Sequence, residues 1–203
     1  MAETTFEATI DSYMAAQQSN VNFGNSTALV YAVTIIGGTK QGQRRSIFNF
    51  DVSSLSGHTI NSAKLSRDLT AIVGTDVGGR ITRCTRPSTW VELEVTWAVY
   101  STGNNWTNPG GDFDDVTPGK VDYTEPNATG VHELTGLLAY VTDALDNRSG
   151  IVSLINRLQN ELPAATEEID YKSTEHADGG PLLIVDHTPP PAGPSQSMRG
   201  WWA

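Results

Sequence analysis

Cysteine is almost missing from this chain of 203 residues. Cys84 stands alone, which excludes an internal disulfide and a multi-cysteine metal site. With Ile81, Thr82 and Thr85 around it, Cys84 reads as a buried small hydrophobe on a strand. Positive charge is scarce as well: 13 Lys and Arg stand against 23 Asp and Glu, a formal charge of −10. Nucleic acid is therefore a poor partner, because binding a phosphate backbone draws on clustered Lys and Arg. No window approaches the roughly 18 apolar residues of a membrane span. The opening Met1-Ala2-Glu3-Thr4-Thr5-Phe6 has neither the basic start nor the apolar stretch of a secretion signal. The expectation is a soluble, unsignalled protein.

Catalytic signatures are also lacking. There is no G-x-S-x-G elbow, no phosphate-cradling G-x-x-x-x-G-K-[ST] and no H-E-x-x-H pair. His58, His132, His176 and His187 are scattered, and the acid pairs Glu92 with Glu94 and Glu167 with Glu168 read as solvated faces rather than a glycosidase pair. No enzymatic activity is expected.

What the chain does have is Val, Ile, Leu, Thr and Gly, with 38% hydrophobic residues, a stock that favours strands. Short alternating or β-branched runs predict strands over residues 5–10, 28–36, 46–52, 60–73, 80–85, 150–158, 169–173 and 182–186. In the fourth, Ala63, Leu65, Leu69, Ala71 and Val73 share one parity with Arg67 as the exception, so one face should be buried. Phe48 and Phe50 should line the core, with Asp51 placed to receive a turn amide or Arg45. One helix is predicted over 135–145, with Thr135 as its cap and Leu137, Leu138, Val141 and Leu145 at helical spacing. The fold class that follows is all-β: a two-sheet antiparallel jelly-roll sandwich over residues 1–186, with one short helix plugging an end.

Residues 187–203 change character. Pro189, Pro190 and Pro191 stiffen an extended arm, and the chain closes on Met198, Arg199, Gly200, Trp201 and Trp202. Two adjacent tryptophans on a polar arm suggest an anchor buried against another molecule; an arm folded back on its own domain, or loose, is the alternative.

Several strings fall in a telling order: Asp11-Ser12-Tyr13, Asn22-Phe23-Gly24-Asn25-Ser26, Arg44-Arg45-Ser46, Phe48, Phe50-Asp51-Val52-Ser53-Ser54-Leu55, and Ile60-Asn61-Ser62-Ala63-Lys64-Leu65. Arg83, Thr85, Trp90, Glu92, Val95-Thr96-Trp97, Trp106 and Pro109-Gly110-Gly111-Asp112-Phe113-Asp114 follow. Over about residues 5 to 186 this order resembles the DNRLRE family of β-jelly-roll modules, related to disaggregatase repeats and alginate-type carbohydrate-binding modules. The resemblance implies a jelly-roll without a catalytic centre, of a kind appended to proteins that handle acidic polysaccharide. The chain departs from the pattern near its end, where Ser173-Thr174-Glu175 precedes Leu182-Leu183-Ile184-Val185.

Two candidate sites can be drawn. Trp97 and Trp106 are either rim and core fillers or sugar-stacking platforms. Arg44, Arg45 and Arg83, within a wider strip of Lys40, Lys64, Arg67, Arg80 and Arg86, either bind uronate carboxylates or pair with the abundant Asp and Glu. Asp112, Asp114 and Asp115 on their glycine-rich turn are either a solvated acidic turn or a Ca²⁺ site, the one cofactor considered.

Two functions are weighed. The first is a virion accessory protein of a tailed phage, located on the virion surface and assembled in the host cytoplasm. Its arm, and Met1 to Phe6, would anchor it to capsid or tail subunits. The alternative is a stand-alone carbohydrate-binding module for an anionic polysaccharide.

Overall fold

The structure is a computed structural model that describes residues 1–86 and 89–191. The first half runs β1 (Ala2–Glu7), β2 (Ile10–Ala15), β3 (Ala28–Ile36), β4 (Thr39–Asp51), β5 (Thr59–Val73) and β6 (Gly78–Cys84). After a long loop come β7 (Val99–Ser101), β8 (Asn104–Asn105), β9 (Phe113–Asp114), β10 (Lys120–Thr124) and β11 (Gly130–Thr135). Helix α1 (Leu138–Asn147) and strands β12 (Ile151–Leu158), β13 (Glu167–Lys172) and β14 (Leu182–Thr188) complete the order.

The pairings are antiparallel, in the order β1-β14-β5-β13-β3-β4-β12-β6-β10, with β11 also on β5, β2 on β4 and β9 on β6. Strands β5 and β4, of 15 and 13 residues, each carry two partners in succession along one edge. On β5, β14 takes Thr59 to Ser66 and β13 takes Leu69 to Val73. On β4, β12 takes Ser46 to Asp51 and β3 takes Thr39 to Arg44. The sheet turns over along these two strands into the layers of a sandwich, a jelly-roll-like all-β fold as the strand pattern predicts. No helix among the described residues is long and apolar enough to cross a membrane.

The main core lies between the layers and contains Leu29, Tyr31, Phe48, Phe50, Leu65, Leu69, Leu154, Ile169, Tyr171 and Leu183. The parity expected for β5 holds at Ala63, Leu65 and Leu69 and then fails, with Val73 exposed and Ile72 packed on the core. The cause is a register shift against β13, where Asp170 faces Ala71 and Tyr171 faces Leu69. The unpaired Thr70 reverses the inward face. Asp51 accepts the Ser53 amide at 2.9 Å, the turn role expected of it, while Arg45 goes elsewhere.

Arg67 is inside the core, 2% exposed. Its Nη1 and Nη2 donate to Glu125 Oε1 and Oε2 at 2.6 and 3.2 Å, and its Nη1 also donates to the Tyr123 hydroxyl at 3.1 Å. Tyr31 donates to the same carboxylate, Tyr123 to Asn156 Oδ1 at 2.7 Å, and the guanidinium lies over the Tyr123 ring 5.0 Å from its centroid.

The helix begins three residues later than expected, because β11 pairs Thr135 with Lys64 and Gly136, at φ +94°, turns the chain before Leu138. Leu137 rather than Thr135 stands at the N-cap, with no side-chain cap. Strand β14 runs two residues past the expected domain boundary: His187 pairs with Ala2 across to β1, and its buried ring meets Thr4 Oγ1 at 2.9 Å and His58 Nδ1 at 2.8 Å. Pro189, Pro190 and Pro191 follow, exposed; Met198, Arg199, Trp201 and Trp202 lie outside the described residues.

Two outcomes follow from these burials. Arg67→Ala should cost about 3–5 kcal/mol in urea denaturation by stranding the Glu125 charge, whereas the double variant Arg67→Met with Glu125→Leu should recover most of that loss. Burial pushes the Cys84 thiol up to about 11, so a disulfide reagent at pH 8 should label the protein only after unfolding.

Candidate functional site

The described part of the link from β6 to β9, residues 85–86 and 89–112, covers the outer face of the β2-β4-β12-β6 layer, where a second core gathers Met14, Ile47, Cys84, Trp90, Val95, Trp106 and Ile155. Trp90 donates its indole N–H to Asn49 Oδ1 at 2.9 Å. Trp106 is 4% exposed and donates to the Thr96 carbonyl at 2.9 Å. An indole so enclosed offers no face to a sugar, so the platform reading of Trp106 is corrected to core packing.

Trp97 is half-buried and already stacked. The Arg45 guanidinium lies 5.0 Å from its ring centroid, and Gly110, at φ +87°, sits so close that a Cβ there would come within 2.7 Å of the indole. Arg45 is buried and spends every nitrogen inside the protein: Nε and Nη2 donate to Glu161 at 2.8 and 2.7 Å, and Nη1 donates to the Gly110 carbonyl at 2.9 Å. Phe113 closes its other side at 5.0 Å. Arg83 pairs with Asp114 at 2.5 Å and Asp143 at 2.9 Å. Neither arginine presents a free fork to a uronate. The wider strip is consumed in the same way, through Lys64 with Glu133, Arg67 with Glu125, Arg80 with Asp115 and Asp122, and Arg86 with Asp112; Lys40 donates to Gln43 Oε1 at 2.6 Å and the Glu161 carbonyl at 3.0 Å.

The acidic turn divides its carboxylates among arginines. Asp112 accepts from Arg86 Nε at 2.9 Å and from the Thr107 and Asn108 amides at 3.0 and 2.9 Å. Burial works against its charge, but these donors outweigh it and hold the carboxyl below its usual range. Asp114 serves Arg83, and Asp115 serves Arg80 and Arg157. The three point at separate cations rather than at a common point.

Arg44 differs from the other nominated arginines. It is 36% exposed in its side chain and meets Glu168 through Nη1 alone, at 2.9 Å. Beside it is a surface the sequence did not single out as a site. Tyr13 on β2 and Phe23 on the following loop, both half-buried, stack with centroids 4.1 Å apart and planes 18° apart. The charges of Arg44, Asp170 and Glu168 all act on the Tyr13 hydroxyl. The Phe23 loop is held by Asn22, whose Nδ2 donates to the carbonyls of Glu92 at 2.6 Å and Val95 at 2.8 Å while its Oδ1 accepts the Gly24 amide at 3.0 Å. A Cβ at Gly24 would lie 2.5 Å from the Glu92 carbonyl oxygen, so the close approach requires glycine. The signal was available in Asp11-Ser12-Tyr13 and Asn22-Phe23-Gly24, but nothing in the sequence says that the two rings meet.

Burial, with Glu168 adding to it and Arg44 opposing, pushes Asp170 up to about 6. The folded protein then holds this proton more tightly than the unfolded chain. Its ionisation removes stability as pH rises from about 4 to about 6, and the loss is complete above that. Asp170→Asn should therefore raise stability at pH 7 by on the order of 1 kcal/mol and leave it unchanged at pH 3.5, read as the difference between thermal melts at the two pH values.

No curated protein matches the chain. The family described as carbohydrate-binding module family 96 matches residues 2–107, just over half the chain, spanning β1 to β8 and holding Tyr13, Phe23, Arg44 and the Trp90–Trp106 cover. The match agrees with the carbohydrate-binding side of the resemblance drawn from the motif order; it names neither the DNRLRE type nor a virion protein. On this match the chain belongs to carbohydrate-binding module family 96.

Proposed function

We propose that the protein is a non-catalytic carbohydrate-binding module that lays a polysaccharide across the stacked Tyr13–Phe23 pair. The observation that carries the reading is the family match over residues 2–107; the ring pair lies within the match, and its half-buried aromatic surface adjoins the charged groups of Arg44, Glu168 and Asp170. Sugar rings present C–H faces that pack on aromatic rings and hydroxyls that need donors and acceptors around the rim. Arg44, bonded through Nη1 alone among the described residues, supplies donors, and Glu168 supplies acceptors.

That mixture favours a hydroxyl-rich, uncharged polymer over the anionic one expected from the basic strip. A neutral glycan satisfies donors and acceptors together. A uronate satisfies Arg44 alone, is repelled by Glu168 and Asp170, and approaches a chain of formal charge −10. Attachment to a virion rested on Pro189, Pro190, Pro191, Met198, Arg199, Trp201 and Trp202 and on Met1 to Phe6; Met198, Arg199, Trp201 and Trp202 lie outside the described residues, Ala2 to Phe6 lie in β1 against β14, and the family match favours glycan binding instead.

The test is retention on a panel of neutral and uronate polysaccharides at low and high salt. Retention on a neutral polymer that is insensitive to salt is expected, with Tyr13→Ala and Phe23→Ala each weakening it about tenfold while thermal melts show the variants folded. Unchanged binding by both variants places the glycan elsewhere. Salt-sensitive binding to the uronates alone overturns the neutral preference, and retention on nothing in the panel overturns the reading itself.

A further inference from the structure

Three carboxylates from distant parts of the chain converge on one spot near the Phe23 loop. Asp11 lies on β2, Glu92 in the cover loop, and Glu175 in the loop between β13 and β14; one oxygen of each lies within 4.8 Å of one from the other two. They differ from the acidic turn at residues 112–115 in having no counter-charge: none of the three forms an ion pair among the described residues, whereas Asp112, Asp114 and Asp115 each have an arginine.

A second observation points to an occupant. Asp11 is 1% exposed, and its Oδ1 is sealed from solvent without a hydrogen-bond partner. Its Oδ2 accepts the Thr174 amide at 2.8 Å, and the Asp11 amide donates to Glu92 Oε1 at 2.8 Å. The carboxyl is thus fixed on one side and left unsatisfied on the other, in the company of two further carboxylates. A buried acceptor in that position costs stability unless something donates to it or coordinates it. Burial, reinforced by Glu175 and Glu92, pushes the Asp11 carboxyl up to about 7, the direction expected where negative charge is crowded with nothing to balance it.

We propose that Asp11, Glu92 and Glu175 form a divalent-cation site whose occupant is Ca²⁺. The ligands are hard carboxylate oxygens without histidine or cysteine, which selects against zinc and copper. Calcium accepts six to eight oxygens in a flexible shell at about 2.4 Å, which suits carboxylates carried by three separate segments, whereas Mg²⁺ demands a near-ideal octahedral shell at about 2.1 Å and rarely takes an all-protein cage. Exposure is graded, with Asp11 buried, Glu92 half-buried and Glu175 exposed, so the ion can enter from the Glu175 side and complete its shell with water. Glu175 is steadied by the Thr174 hydroxyl, 3.0 Å from its Oε1. Once bound, the ion ties β2, the cover loop and the β13–β14 loop together. Since the Glu92 carbonyl also anchors Asn22, it stiffens the loop that carries Phe23. The site does not depend on the carbohydrate reading and can be tested apart from it.

The full-length protein, stripped with a chelator, is titrated with CaCl₂ by calorimetry and followed by thermal melting. One Ca²⁺ per chain is expected, with sub-millimolar affinity and a Tm raised by about 5 °C or more at a hundredfold excess over Kd. Glu175→Gln, an exposed change that leaves the fold intact, should weaken binding about tenfold. Asp11→Asn should weaken it further, and Asp114→Asn in the other acidic cluster should leave it unchanged. Absence of both heat and Tm shift at millimolar CaCl₂ overturns the site, as does Glu175→Gln binding Ca²⁺ as tightly as the unaltered protein. Should Asp11→Asn fail to fold, Glu175→Gln decides the matter alone.

Discussion

The charge pair of Arg67 and Glu125 in the main core is the constraint around which the sandwich is arranged. Placing a guanidinium and a carboxylate away from water costs several kcal/mol for each ion, and only full hydrogen bonding with good geometry repays it. Here the repayment comes from several elements at once, with only Arg67 Nε of this network left unpartnered among the described residues: Arg67 from β5, Tyr31 from β3, Tyr123 from β10, Asn156 from β12 and Tyr171 from β13. A slip of one residue in β5 would turn Arg67 to the other face and strand its partner. The pair therefore specifies register as much as it contributes stability.

The same economy of charge governs the surface. An acidic chain with few cations places several of them where one guanidinium steadies two carboxylates or a loop, as Arg45 does by gripping Glu161 and the Gly110 carbonyl while sandwiched between Trp97 and Phe113. The cover over the second core is thereby pinned to β4. The Tyr13–Phe23 patch differs: its rings stack on each other instead of on an arginine, and the neighbouring Arg44 meets Glu168 through Nη1.

Much of the fold was legible in the residues because strands announce themselves by alternation. β3 was predicted at its observed bounds, and β5, β12 and β14 within two residues of theirs. The short strands β7 to β11 were missed, since two- to six-residue segments in a region rich in Gly, Asn and Asp carry little periodicity. Arg67 stood out as an exception to parity, but only the fold revealed Glu125 as its partner across 58 positions. The site was less legible. Tyr13 and Phe23, and likewise Asp11, Glu92 and Glu175, are joined by tertiary contact across the chain, and no spacing rule connects them. The arginines and tryptophans drew attention by residue type, and the carboxylates and indole acceptors around them decided otherwise.

The pairing of β1 with β14 sets Ala2 directly opposite His187. Both chain ends of the folded body thus leave from a single corner, one of them continuing into three exposed prolines. A neighbouring module or tether joined at either end would be hung from that one attachment point. A circular permutant that sealed the two ends with a brief linker and reopened the chain at an outlying turn would preserve every strand pairing.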